Sequence, residues 1–138
     1  MKIKKYLIAI VDDDEDDRDI LAVSFRENHD YAAVLTFESG EEFLNHLQSG
    51  AELPNIVITD LYMPMMTGMD VITQLRENPK FERIPIVLLS TIKNETIFET
   101  TTDMANIYYM VKPVSLMDYT IMADEIMAKI IPAIANDQ

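Results

Sequence analysis

Apolar runs of strand length recur five times along the chain, and each is followed by a segment with helical spacing. The runs are Tyr6 to Val11, Ala32 to Phe37, Ile56 to Thr59, Ile84 to Leu89 and Ile107 to Val111. A strand exposed on one face alternates polar with apolar residues. A mostly unbroken apolar run marks a strand covered on both faces, the condition of a parallel sheet between layers of helices. The intervening segments supply those helices. Ile20, Leu21, Val23, Ser24 and Phe25 form the first stripe, and Ser39-Gly40-Glu41-Glu42 reads as a capping box ahead of Phe43, Leu44 and Leu47. Gly50 closes that helix, and Val71, Ile72 and Leu75 mark a third that ends near Asn78-Pro79. A more polar helix runs from Asn94 to about Ala105. Ser115 to Asp118 caps a last one whose inward face is Tyr119, Met122, Ala123, Ile126 and Ile130. Strand-helix alternation of this kind predicts one doubly wound α/β domain with right-handed crossovers. It is expected to span residues 1–138, with a core of about 5–131 and no output domain.

Composition narrows the chemistry. The 138 residues include no cysteine and two histidines, which excludes disulfides, thiol nucleophiles and Cys/His zinc sites. A net charge of −13 repels nucleic-acid backbones and anionic membranes, so no direct nucleic-acid partner is expected. The basic start ahead of Tyr6 to Val11 imitates a secretory signal. The apolar run is too short, acids follow it at once, and no cleavage site appears, so it reads as a strand. No stretch approaches the ~20 apolar residues of a membrane helix. A cytoplasmic location without membrane insertion is the expectation.

Polar residues gather at the strand exits: Asp12 and Asp13 after the first strand, Asp60 after the third, Ser90 and Thr91 after the fourth, and Lys112 after the fifth. If the strand order is the flavodoxin-like 2-1-3-4-5, the first and third strands are neighbours and their acids converge at the switch point, where ligands of open α/β sheets bind. Carboxylates ~4 Å apart repel by about 4 kcal/mol at an effective dielectric of 20, so the group calls for protonation or a cation. An all-oxygen donor set suits Mg2+. Lys112 and the Ser90 hydroxyl could then bind phosphoryl oxygens, leaving Asp60 as a carboxylate nucleophile.

Taken in order, Val11-Asp12-Asp13-Asp14, Asp60 followed by Met63-Pro64 and Gly68, Ser90-Thr91, and Tyr109 ahead of Lys112-Pro113 resemble the receiver domain of two-component response regulators. The resemblance covers about Tyr6 to Ile131. It implies that Asp60 is the phosphorylation site, with Asp13 a direct Mg2+ ligand, Asp12 a ligand through water, and Tyr62 a ligand through its backbone carbonyl. It also implies that Ser90, Thr91 and Lys112 bind the phosphoryl group, that Tyr109 follows Ser90 as the switch aromatic, and that Pro113 is a cis-proline. The implied partners are a histidine kinase or histidine phosphotransfer protein and a downstream protein target or a second copy in a homodimer, for which Tyr108 is expected to be exposed. Asn78 to Pro85 lengthens the connection into the fourth strand as in the single-domain regulators that partner phytochrome kinases. The implied role is a phospho-acceptor switch rather than an enzyme. Tyr62 and Ile92, two positions beyond Asp60 and Ser90, are bulky and carry no carboxylate or amide to orient an attacking water, so slow loss of the phosphoryl group is expected. Two positions depart from the family pattern: Thr67 stands where Asp or Asn usually precedes Gly68, and Met104 where a glycine usually precedes Ala105.

The same residues have plainer readings. Asp14, Glu15, Asp16 and Asp17 read as solvated acids at a helix start. They do not form a calcium loop, since Asp17 takes the glycine position and Val23 the final acid position. His29 and His46 are expected at solvent-exposed helix faces, and the ten methionines as core filler. An aspartate-nucleophile phosphatase would need an acid two residues after Asp60, where Tyr62 stands. A receiver that binds partners without phosphorylation is the third reading; the intact Asp13, Asp60, Ser90 and Lys112 argue against it.

Overall fold

In the structure, a computed structural model, the described residues are 5–130. The apolar runs form five strands, β1 (Tyr6–Val11), β2 (Ala32–Phe37), β3 (Ile56–Asp60), β4 (Ile86–Ser90) and β5 (Ile107–Val111). All pair in parallel, in the order β2-β1-β3-β4-β5. The five helices are α1 (Glu15–Asn28), α2 (Gly40–Gln48), α3 (Gly68–Arg76), α4 (Glu95–Thr102) and α5 (Leu116–Glu125), the last running on as a wider π-type turn over Ile126–Ile130. The expected end of the domain core at Ile131 lies outside the described residues.

Successive residues of each central strand point to opposite faces, so the sheet separates two cores. Ile8, Ile10, Ile56, Ile58, Val87 and Leu89 meet Leu21 and Phe25 of α1 and Tyr119, Met122 and Ala123 of α5. Ala9, Val11, Val57, Ile86 and Leu88 meet Phe43 and Leu47 of α2 and Val71, Ile72 and Leu75 of α3. Most described methionines pack into or against these cores, whereas Met65 and Met117 are exposed.

Local chemistry sets the helix starts. Asp14, Ser39, Thr67, Asn94 and Ser115 each accept a hydrogen bond from a backbone N–H in the first turn of the helix that follows. The reciprocal bond expected of Glu42 goes to the backbone N–H of Glu38 instead of Ser39. A full capping box forms at Thr67, whose backbone N–H donates to Asp70 while its hydroxyl accepts from the Asp70 N–H. That gives Thr67 a structural reason to replace the more common acid or amide.

Several expectations need correction. Ile84 and Pro85 precede β4 rather than opening it, while Asp60 is itself the last residue of β3. Val23 is exposed, because it lies off the side of α1 that faces the sheet. The polar fourth helix ends at Thr102, before Met104, which packs half-buried against the α2/α3 core. Tyr108 is half-buried against the opposite core rather than exposed. His29 is also enclosed: its ring lies 2.8 Å from Asp124 and against Tyr31, because the end of α1 packs on α5. His46 is half-buried beside Phe37. No cis peptide bond occurs among the described residues, so Pro113 follows a trans bond. An X-Pro bond favours trans by about 0.5–1 kcal/mol, and Lys112 satisfies its backbone N–H on Ser90 without cis geometry.

Candidate functional site

Strand register assembles the site. Val11 pairs with Thr59, Asp60 with Leu89, and Ser90 with Val111. Asp12 therefore comes level with Asp60, Ser90 follows the Asp60 partner Leu89, and Lys112 follows the Ser90 partner Val111, so all four gather at the carboxyl ends. Asp12, Asp13 and Asp60 each bring a carboxylate oxygen within 4.8 Å of the others. Asp12 and Asp60 are buried, whereas Asp13 is exposed at the rim.

Lys112 is the counter-charge. Its ammonium lies 3.0 Å from Asp12, 2.8 Å from Asp17 and 3.3 Å from Asp60, with 6% of its side chain exposed. One cation thus faces three acids, and the balance shows in the titration of Asp12 and Asp60. Burial pushes the Asp60 carboxyl up to about 6; Lys112 pulls it down, the Asp12 charge pushes it further up, and a bond from the Tyr62 backbone N–H lowers it. Asp12 is raised as well, chiefly by burial, against bonds from the Asp14 N–H and Lys112. Lys112 moves upward despite its own burial, because the acids outweigh desolvation. The donor set is all oxygen and short of positive charge, which fits a hard divalent cation.

A pH dependence follows. The Asp60 carboxyl titrates near 3.8 when unfolded and near 6 when folded, so between these values the native state holds the extra proton. Stability of the metal-free protein therefore falls as pH rises through this window, by about 3 kcal/mol at most from this group. The thermal midpoint in chelator is expected to rise on acidification from about pH 7.5 to about pH 5. Asp60→Asn should raise the midpoint at the higher pH and flatten the dependence; an unchanged slope would contradict the assignment.

A chain of donors occupies the other side of the crevice. The Ser90 hydroxyl donates to the Ile92 carbonyl at 2.7 Å and lies 2.6 Å from the Tyr109 hydroxyl. Since Ser90 has one hydrogen, Tyr109 donates to Ser90 and in turn accepts the Asn94 N–H at 2.9 Å. The Asn94 side chain donates to the Tyr62 hydroxyl at 2.8 Å while its oxygen caps α4. Ser90 is fully buried, but Thr91 beside it is exposed. Tyr62 and Ile92 stand exposed at the mouth, and Pro113 is half-buried beyond Lys112.

Two participants were missed by sequence reasoning. Asp17 is a Lys112 partner rather than a wholly solvated acid, and its side chain is 30% exposed. Its spacing to buried Leu21 and Ser24, four and seven residues on, places it on the inward stripe of α1, a legible sign that it needed a cation. Asn94 was expected to begin α4, but nothing local signals its bonds to Tyr62 and Tyr109.

Known proteins resemble this chain over most of its length. The family described as "Response regulator receiver domain" matches residues 8–124. The two-component response regulator ORR11 of Oryza sativa is 32% identical over 113 residues, covering 80% of this chain and 74% of its own. ORR3 of the same species is 27% identical over 122 residues, covering 88% and 91%. Among solved structures, the Mn(2+)-bound form of response regulator Rcp1 superposes with a TM-score of 0.79 at 23% identity, covering 91% of this chain and 94% of its own. The phosphorylated cyanobacterial phytochrome response regulator RcpA gives a TM-score of 0.79 at 24% identity, covering 91% and 96%. The extent of the family match, with acids, hydroxyl and lysine on successive strand ends, shows that this chain belongs to the response regulator receiver domain family.

Proposed function

We propose that this chain is a phosphorylatable signalling switch in which Asp60 accepts a phosphoryl group from a histidine kinase or histidine phosphotransfer protein. The convergence of Asp12, Asp13 and Asp60 opposite Lys112 carries the reading. An Asp60 carboxylate oxygen forms the bond to phosphorus as the phosphorus–nitrogen bond of the donor breaks, and the electron pair leaves with the imidazole nitrogen. Asp13 and Asp60 would hold Mg2+ directly, Asp12 through water, and Tyr62 through its backbone carbonyl. The Rcp1 form with Mn2+ bound supports a divalent ion in such a fold. When bound, the cation neutralises charge on the phosphoryl oxygens.

Lys112 then meets one phosphoryl oxygen and Ser90 turns its hydroxyl from the Ile92 carbonyl toward another, with Thr91 beside it. Tyr109 follows Ser90, so the α4, β5 and α5 face changes shape for a protein target or a second copy of the chain. The phosphoryl group adds about 1.5–2 negative charges at neutral pH. Moving the switch from 1% to 99% would take ~5.5 kcal/mol, within reach of several charged contacts in a buried crevice. The chain acts here as one receiver domain and a switch rather than an enzyme, in the cytoplasm with its phosphodonor.

The test is incubation with acetyl phosphate and Mg2+, followed by intact-mass analysis. Wild type should gain one phosphoryl group and Asp60→Asn none; modification of Asp60→Asn to the same extent would refute the assignment. Tyr62 and Ile92 are read as access-modulating residues that offer no group to orient an attacking water. Replacing both with small polar residues should speed phosphoryl loss severalfold, read as the decay of phosphorylated mass after donor removal.

A further inference from the structure

Lys112 has three ammonium hydrogens and three acidic neighbours, but the neighbours are not equivalent. Asp12 and Asp60 belong to the carboxylate trio suited to a cation, whereas Asp17 lies outside it. Asp17 also makes the shortest contact, 2.8 Å, and hydrogen-bonds the ammonium. Asp12 takes a second hydrogen bond at 3.0 Å. The Asp60 contact is an ion pair at 3.3 Å. An ammonium on a four-carbon stem has no preferred position of its own. Its place in the crevice is set by the carboxylates that hold it, and only Asp17 has no second claim on its oxygens from the cation-holding trio.

Asp17 is fixed for this task. It lies in the first turn of α1, where the Asp14 side chain accepts its backbone N–H at 3.1 Å. Leu21, one turn further, is buried against the sheet and anchors the same side of the helix. Asp16, its neighbour in sequence, is exposed and carries the same charge.

We propose that Asp17 is a positioning residue of this site, holding the Lys112 ammonium where it meets the phosphoryl oxygens on Asp60. The inference rests on Asp60 being the phospho-acceptor. Lys112 can keep its bond to Asp17 while turning another hydrogen to the phosphoryl group, so Asp17 helps rather than competes.

Positioning and simple charge predict opposite results. Removing a negative charge beside an anion should strengthen anion binding. Removing the group that holds the anion's lysine should weaken it. The experiment titrates the whole 138-residue chain as wild type, Asp17→Asn, Asp17→Glu and Asp16→Asn with beryllofluoride in saturating Mg2+, following backbone amide resonances. The Asp17→Asn midpoint is expected to rise roughly threefold to tenfold, the range for a charged hydrogen bond with one partly exposed partner. Asp17→Glu should restore much of the loss, and Asp16→Asn should stay near wild type. Without Mg2+ or beryllofluoride, 15Nζ-lysine spectra should show an exchange-protected Lys112 ammonium signal in wild type and Asp16→Asn that weakens in Asp17→Asn. A midpoint in Asp17→Asn equal to or below that of Asp16→Asn, or an unchanged ammonium signal, would overturn the proposal. Failure of wild type to respond to beryllofluoride would instead count against the phospho-acceptor reading, with the ammonium spectra still reporting on Asp17.

Discussion

Lys112→Met is expected to lower the stability of the metal-free protein at neutral pH by about 3–5 kcal/mol, the usual cost of removing one partner from a buried ionic cluster. Methionine fills much of the same volume, so the loss comes from charge rather than from a cavity. Asp12 and Asp60, with 1% and 10% of their side chains exposed, would be left without the cation that holds them. They can escape by taking up protons, and both already titrate upward. The deficit should therefore shrink on acidification and also on addition of Mg2+. Urea unfolding in chelator at two pH values, repeated with Mg2+, checks each part; a midpoint equal to wild type under all conditions would rule out this electrostatic account. On the proposed reading, phosphorylation should fall sharply even where the fold is restored, because no ammonium would be left to meet the phosphoryl oxygens.

Gly68→Ala should be nearly as damaging by another route. A Cβ there would stand 2.5 Å from the Asp60 carbonyl oxygen and 2.6 Å from Leu88 Cδ1. The first obstacle is Asp60 backbone and cannot swing aside as a side-chain end would. Gly68 also donates its N–H to the Leu61 carbonyl at 2.9 Å, so α3 starts directly against the strand that delivers Asp60. Overpacking typically costs about 1–3 kcal/mol, and a clash against backbone belongs at or above the upper end. Thermal unfolding should register the loss, and acetyl phosphate labelling should fall even well below the new midpoint as β3 and α3 separate. Gly50→Ala is the comparison: its φ of +86° brings strain, but a Cβ there meets nothing within 4 Å.

The sheet was legible because both-face burial leaves a local mark, an apolar run such as Ile56 to Ile58 ending in an acid. Its limits were clear only where burial and pairing coincided. Ile84 is buried yet unpaired in the sheet, so apolarity extended β4 too far toward the N-terminus. Acids and a lysine at strand exits also suggested the site, since strand order converts those exits into neighbours. Side-chain partners left fainter traces. Asp17 and Lys112 are separated by 95 positions, and the same acid could satisfy a helix start without touching anything. His29 likewise reads as polar and exposed until α5 supplies Asp124. The Pro113 bond followed the family pattern in expectation and the ordinary trans preference in the structure.

The hydroxyl relay from Tyr109 through Ser90 ends on the Ile92 carbonyl, beside a side chain that is 79% exposed. That terminus sets the energetic toll of rotation. If Ser90 turns toward a phosphoryl group on Asp60, as proposed, the acceptor it abandons belongs to a mostly exposed residue, while the arriving bond forms at a hydroxyl that is itself buried. On that reading the relay would work as a latch sprung from its outer end, with its direction decided by whether an anion occupies the inner one.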